Sequence, residues 1–275
     1  MTSTRLLFVL TLLVTAIGGG ARAADDASAV RALVESSVSA ISKVRASRVA
    51  TLSGIASHGQ ILEYFKSPEG ERKAQLPAVK SFLKDADMGS ELCLIDNQGV
   101  EHLRVVRGRF ASDKELSKEE MDAPFFAPGM VLREGQSYQS NPYFSPDVEE
   151  WVLGVAVPVI PGQAILHFEH PVKEYHDALA SAVGGGHLAL AVDRVGHIVI
   201  NSRDMATSRP ADLMVNPRTY FLSIRRGEGA MPAEVVRAML AGEPGEAQVT
   251  WRGANYLMAW KPTDGLTIAV LEPAH

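Results

Sequence analysis

The sequence predicts an α+β fold: a long N-terminal helix, then two tandem modules, each an antiparallel sheet of about five strands with short helices. Three observations carry this. From Ser28 to about Lys66 steps of three and four dominate the spacing of the apolar residues, the stripe of an amphipathic helix. Two hairpins reading apolar run, Asp, two residues, Gly, apolar run have their aspartates, Asp96 and Asp193, 97 positions apart. Two later strand–turn–strand segments have their turn glycines, Gly162 and Gly265, 103 positions apart. Paired echoes at nearly one offset point to a duplicated unit of about 100 residues.

Composition sets the outer limits. A chain of 275 residues, 46% hydrophobic and 21% charged, is globular. A formal charge of -5 offers no general attraction to phosphate backbones, so no nucleic-acid partner is expected. The single cysteine, Cys93, excludes an intramolecular disulfide framework and cysteine-rich zinc sites.

Residues 1–23 read as an export signal. Arg5 precedes an apolar run from Leu6 to Ile17, Gly18-Gly19-Gly20 breaks it, and Ala21-Arg22-Ala23 supplies the small-x-small cleavage pattern. The run falls short of the roughly 20 residues that span a bilayer. Cleavage after Ala23 removes Arg5 and Arg22, taking the charge from -5 to -7 and placing the mature chain in the periplasm or outside the cell. The alternative is an uncleaved N-terminal anchor.

Residues 24–85 hold the long helix, ended by Pro68-Glu69-Gly70, and a second helix from Arg72 to Lys84 that Pro77 kinks or delays. A helix of about 50 Å lies against two modules or pairs with a second copy, so a homodimer through it is one expectation. Residues 86–183 form the first module. Glu91 to Asp96 and Val100 to Val106 are strands around Asn97-Gln98-Gly99, and Trp151 to Val159 and Gln163 to Glu169 flank Pro161-Gly162. A short helix from Pro171 to Val183 then ends at Gly184-Gly185-Gly186. Residues 184–275 repeat the plan, with a helix at Pro232 to Leu240.

The hairpin Ile95-Asp96-x-x-Gly99-x-Glu101-x-x-Arg104-Val105 is similar to a D-x-x-G-x-E-x-x-R-V hairpin. Leu116, Phe126, Gly135 and Tyr138-Gln139-Ser140 follow in the order of an L…yF…g…vyvS stretch, and Trp151 to Pro158 match an apolar strand ending in Pro-Val. These motifs, within a likeness running from Ser28 to the C-terminus, resemble the double Cache domain. That family comprises PAS-like extracytoplasmic sensors of bacterial histidine kinases, diguanylate cyclases and chemoreceptors. The resemblance implies that the first module is membrane-distal and carries the ligand, while the second is membrane-proximal. It also implies a membrane-bound partner: a histidine kinase, chemoreceptor, cyclase or transporter. The family's usual transmembrane and output segments do not follow before His275, so an exported sensor relaying to that partner is expected. The tyrosine, arginine-x-tryptophan-tyrosine and aspartate set of amino-acid-binding members is not recognisable here.

The segment from Arg104 to Trp151 is rich in arginine and aromatic residues, the stuff of a small-molecule pocket. The candidate ligand residues are Arg104, Phe126, Arg133, Tyr138, Ser140, Tyr143 and Trp151. Arg104 or Arg133 would fork onto an anionic group, with Tyr138, Tyr143 and Trp151 giving ring contacts and donors. The plainer alternative pairs Arg104 with Glu101 and puts Trp151 in the core. His167, Glu169, His170 and His176 cluster without metal-binding helix spacing and read as solvated surface; no metal is expected. Glu91, with Asp85 and Asp87, reads as a solvated loop, and Cys93 as an inert small hydrophobe. With no nucleophile elbow and no phosphate loop, neither an enzyme nor a cofactor is expected. The rivals are a periplasmic hydrolase or lyase and a structural protein that dimerises by its helix.

Overall fold

The apolar stripe that begins at Val30 builds α1, Gly20–Ala56, about 55 Å long at 1.5 Å per residue. The structure, a computed structural model, describes residues 20–84, 90–204 and 221–274, with side chains from Asp26 onward. The export signal, most of which precedes Gly20, and Asp85 and Asp87 lie outside the described residues. Among the described residues, no helix is long and apolar enough to cross a membrane.

The single helix expected to reach Lys66 is two. The chain breaks at Ser57-His58 and resumes as α2, Gly59–Lys66, followed by α3, Glu69–Leu83, which carries Pro77 inside it. His58 takes an extended backbone, and its ring accepts a hydrogen bond from Gln60 N at 3.4 Å, capping α2. The break turns Ile61, Tyr64 and Phe65 onto the first sheet. Apolar spacing carried straight across it and gave no sign of the turn.

The first sheet contains β1 (Glu91–Asp96), β2 (Glu101–Val106), β3 (Arg109–Phe110), β4 (Tyr138–Gln139), β5 (Tyr143–Ser145), β6 (Glu150–Ile160) and β7 (Ala164–Pro171). The second contains β8 (Leu188–Asp193), β9 (His197–Asn201), β10 (Leu222–Ser223), β11 (Gly245–Trp251), β12 (Ala254–Thr263) and β13 (Leu266–Pro273). Their orders match, β3-β2-β1-β7-β6-β4 and β10-β9-β8-β13-β12-β11, with β5 also pairing β6. All pairings are antiparallel.

The duplicated hairpins are wired alike. Asp96 Oδ1 accepts from Gln98 N (2.8 Å) and Val100 N (3.1 Å), while Oδ2 meets His102 Nε2 at 2.8 Å. Asp193 Oδ1 accepts from Val195 N (2.9 Å) and His197 N (2.8 Å), while Oδ2 meets His197 Nδ1 at 3.1 Å. Gly99 and Gly196 supply the left-handed backbone, at φ 74° and 91°. Each first strand carries a bulge in its pairing, at Leu94/Ile95 and at Ala191/Val192. In the first hairpin the bulge sets Glu101 opposite Ile95 and Arg104 opposite Cys93. Two residues three apart thereby stand on one face, which strict alternation forbids.

The C-terminal part of α1, with α2 and α3, covers one face of the first sheet. Its N-terminal part, with α5 (Val172–Val183), covers one face of the second. Polar ties reinforce both ends: Lys261 to Glu35 at 2.7 Å and Arg45 to Asp264 at 3.2 Å hold the second module, and Arg48 to Glu174 at 3.1 Å holds α5. The opposite face of the second sheet is closed by α6 (Ala233–Leu240) and its neighbours. No large apolar side chain of α1 is exposed among the described residues, so the stripe is used within the chain.

Candidate ligand cavity

On the face of the first sheet turned away from α1, strands β1, β2 and β7 and the crossing segment before β6 enclose a cavity of about 220 Å³. Glu91 and Cys93 reach it from β1, Glu101 and Arg104 from β2, Tyr143 from β5, and His167 and Glu169 from β7. The register makes Glu91 and Glu169 direct cross-strand neighbours, and likewise Cys93 and His167. Tyr143 donates its hydroxyl proton to Glu169 Oε1 at 2.7 Å and lies 3.1 Å from His167 Nε2. Phe125, at the start of the short α4 (Phe126–Met130), stacks on His167 with ring centroids 3.4 Å apart and planes 10° apart. Glycine at 154 is required: a Cβ there would lie 2.8 Å from His167 Nε2 and 3.0 Å from the Tyr143 hydroxyl.

The cavity is acidic and its carboxyls are buried. Burial, and then the neighbouring Glu169 charge, pushes Glu91 well above the usual carboxylate range. Burial raises Glu169 too, against the opposing hydrogen bonds from Ser145, Tyr143 and Glu91. Two adjacent buried carboxyls cannot both ionise without a countercharge, so the pair keeps a proton at neutral pH. No countercharge comes from His167, which burial drives down to about 3 and so leaves neutral. Burial holds the Cys93 thiol well above its ordinary value, so it stays protonated and donates to Glu91 Oε1 at 3.0 Å. Glu91, Cys93 and Glu101 do bring their ligand atoms within 4.8 Å of one another, but a soft metal would first have to displace that thiol proton.

Arg104 is the one cation lining the cavity among the described residues, and it is engaged. It donates to Asp147 Oδ2 at 2.7 Å and to the Glu115 carbonyl, with its Nε 3.6 Å from Glu101 Oε2. This is the plainer alternative raised for it, extended by Asp147. Asp147 and the Glu115 carbonyl thus engage both Nη groups of the guanidinium proposed to hold an anion, while its buried Nε has no hydrogen-bond partner.

Of the seven candidate residues, the structure brings Arg104 and Tyr143 into the cavity. Ser140 stands close behind, its Oγ accepting from Gly154 N at 2.9 Å. Phe126 packs with Cys93, Ile95 and Ile165 beside the cavity. Tyr138, half-buried on β4, and the exposed Arg133 do not line it. Trp151 points to the other face, into the core shared with α5 and the second sheet, against Phe144 and Phe221. Two readings are overturned outright: Glu91, His167 and Glu169 are buried rather than solvated, and His170 is fully buried, whereas Cys93 is buried with its thiol kept protonated, although Glu91 and Glu101 lie beside it. His167 and Glu169 do share a strand face, as alternation requires.

The matching face of the second sheet shows what the first gives up. Where Glu91 opposes Glu169, Leu188 opposes Leu271; where Cys93 opposes His167, Leu190 opposes Ala269. Gly154 and Ala156 of β6 correspond to Met258 and Trp260 of β12, opposite the same partners. The second face is packed solid with these apolar side chains. One architecture is filled in one copy and hollowed, with carboxyls, in the other.

No protein-family model matches this sequence, and no curated protein matches it. Solved structures do. The sensor domain of the V. cholerae histidine kinase DctB has a TM-score of 0.63 at 14% identity, covering 92% of this chain and 99% of that one. The ligand-binding domain of the Campylobacter jejuni chemoreceptor Tlp3, in complex with L-norvaline, has a TM-score of 0.63 at 12% identity, covering 91% of each chain. That of the Pseudomonas aeruginosa PAO1 amino acid chemoreceptor PctB, in complex with L-Arg, has 0.58 at 16%, covering 91% and 96%. The fold is that of bacterial sensor domains of the Cache type: a long helix carrying two antiparallel sheets. At these identities the likeness concerns the fold.

Proposed function

We propose that this chain is an exported sensor in which a small molecule occupies the cavity of the first sheet and α1 passes the change to a membrane-bound partner. The observation that carries this is the unequal treatment of two equivalent faces. Leu188, Met258, Trp260 and Leu271 fill the second, while on the first Glu91 and Glu169 line an open, polar cavity and Gly154 makes room for Tyr143 and His167. Burying carboxyls without a countercharge costs stability, a cost retained where a function needs them. The similar domains of Tlp3 and PctB hold L-norvaline and L-Arg, which supports a ligand of small size.

Residues 1–23 then act as export signal, 24–85 as helical spine, 86–183 as ligand module and 184–275 as its packed counterpart. Because α1 contributes to both cores, a ligand that prefers one arrangement of the first module shifts the spine as well, by no more than its differential affinity. The partner would be a histidine kinase, chemoreceptor, cyclase or transporter. A thermal-shift screen of metabolites against wild type and the triple variant Glu91→Leu/Cys93→Leu/Glu169→Leu tests this. A hit confined to wild type is expected, and a hit that survives in the triple variant contradicts it. Turnover of the hit would favour the hydrolase or lyase instead.

A further inference from the structure

We infer that the ligand enters this cavity as a cation, a small amine whose ammonium group sits between Glu91 and Glu169; this rests on the sensor reading above. Three features point the same way. Glu91 and Glu169 are each only 4% exposed, and apart from the proton the pair shares and the Ser145 hydroxyl beside Glu169 no donor reaches their Oε2 atoms. An ammonium brings three donors and no acceptor, which suits two such oxygens. The countercharge the cavity lacks is positive: Glu101, Glu120 and Asp147 also face it, and the one guanidinium is taken. A dicarboxylate would meet like charges in a poorly solvated space, where their repulsion is strongest. Finally, the rings of Phe125 and Tyr143 give a short alkyl stem an apolar wall and a cation a π-face.

The proton bookkeeping follows. The ammonium replaces the proton held by the carboxyl pair, and that proton leaves to solvent, so binding strengthens as pH rises through the pair's raised range. The other titratable groups facing the pair do not reverse this. Cys93 and Tyr143 are held protonated by burial, His167 is neutral, and Arg104 keeps its charge.

The experiment is calorimetric titration of the full chain with propylamine, 1,4-diaminobutane, L-alanine, succinate and zinc chloride, at pH 6 and pH 8, in two buffers of different ionisation heat. An amine should bind about tenfold tighter at pH 8 than at pH 6, releasing protons at the lower pH. Glu169→Gln and Glu91→Gln, which keep the shape of the protonated pair, should each weaken it at least about tenfold at pH 8. No amine binding, zinc binding alone, or succinate binding that strengthens toward acid would overturn the inference. A neutral or anionic ligand lost in the triple leucine variant would also overturn it while leaving the sensor reading standing. A ligand retained by that variant would sink the sensor reading.

Discussion

Arg104 shows how one side chain changes meaning with its surroundings. In the sequence it is a free guanidinium in an aromatic-rich stretch; in the fold it offsets the buried Glu101 and ties β2 to Asp147. Arg104→Ala should therefore lower unfolding stability by about 3 kcal/mol in urea titration, because it strands a buried carboxylate. An unchanged midpoint would show the pairing to be idle. The carboxyl pair makes a second prediction at this scale. Its folded-state affinity for protons exceeds that of the unfolded chain, so its stabilisation of the ligand-free protein is complete below the ordinary glutamate range, near about 4.3. That stabilisation is lost as pH rises through the raised range. The melting temperature of the ligand-free wild type should fall from pH 5 toward pH 9, and Glu91→Gln/Glu169→Gln should flatten the slope. A wild-type melting temperature that rises over this interval would contradict the assignment. Tyr143 and Arg104 were legible in the sequence because aromatic and guanidinium groups advertise pockets. Glu91 and Glu169 were not, because a charged residue at a strand end looks solvated until the segment that roofs it is known.

Among elements, the hairpins were the most legible, since Asp96 and Asp193 fix their own turns through local hydrogen bonds that sequence spacing encodes. The break between α1 and α2 was hidden, because Ile55, Leu62 and Phe65, seven and three residues apart, keep a helical interval while the backbone turns at His58. The hairpin bulge was hidden as well, and it puts Glu101 beside Arg104. α1 itself joins two cores: Leu52 is buried in that of the first sheet and Ile41 in that of the second. Leu52→Ala and Ile41→Ala should each cost about 2–5 kcal/mol. In scanning calorimetry each should move one common transition, since the helix couples the modules. Two separate transitions, each answering to only one of the substitutions, would show that the helix does not couple them.

At the scale of the molecule, duplication explains both the architecture and the site. The offset of 97 positions between Asp96 and Asp193 announced two like sheets, and the strand orders bear that out. What the offset did not announce is that the copies differ by a few inward positions, Glu91 against Leu188 and Glu169 against Leu271, which decide whether the face closes or opens. Those positions become comparable only once the register of β1 with β7 and of β8 with β13 is known. The most direct measurement is a calorimetric titration of the strongest binder from the metabolite screen into wild type and into Glu91→Leu/Cys93→Leu/Glu169→Leu. A single site per chain that vanishes in the triple variant is the expected result. Two sites per chain, or one that persists in the variant, would place binding somewhere other than the first-sheet cavity.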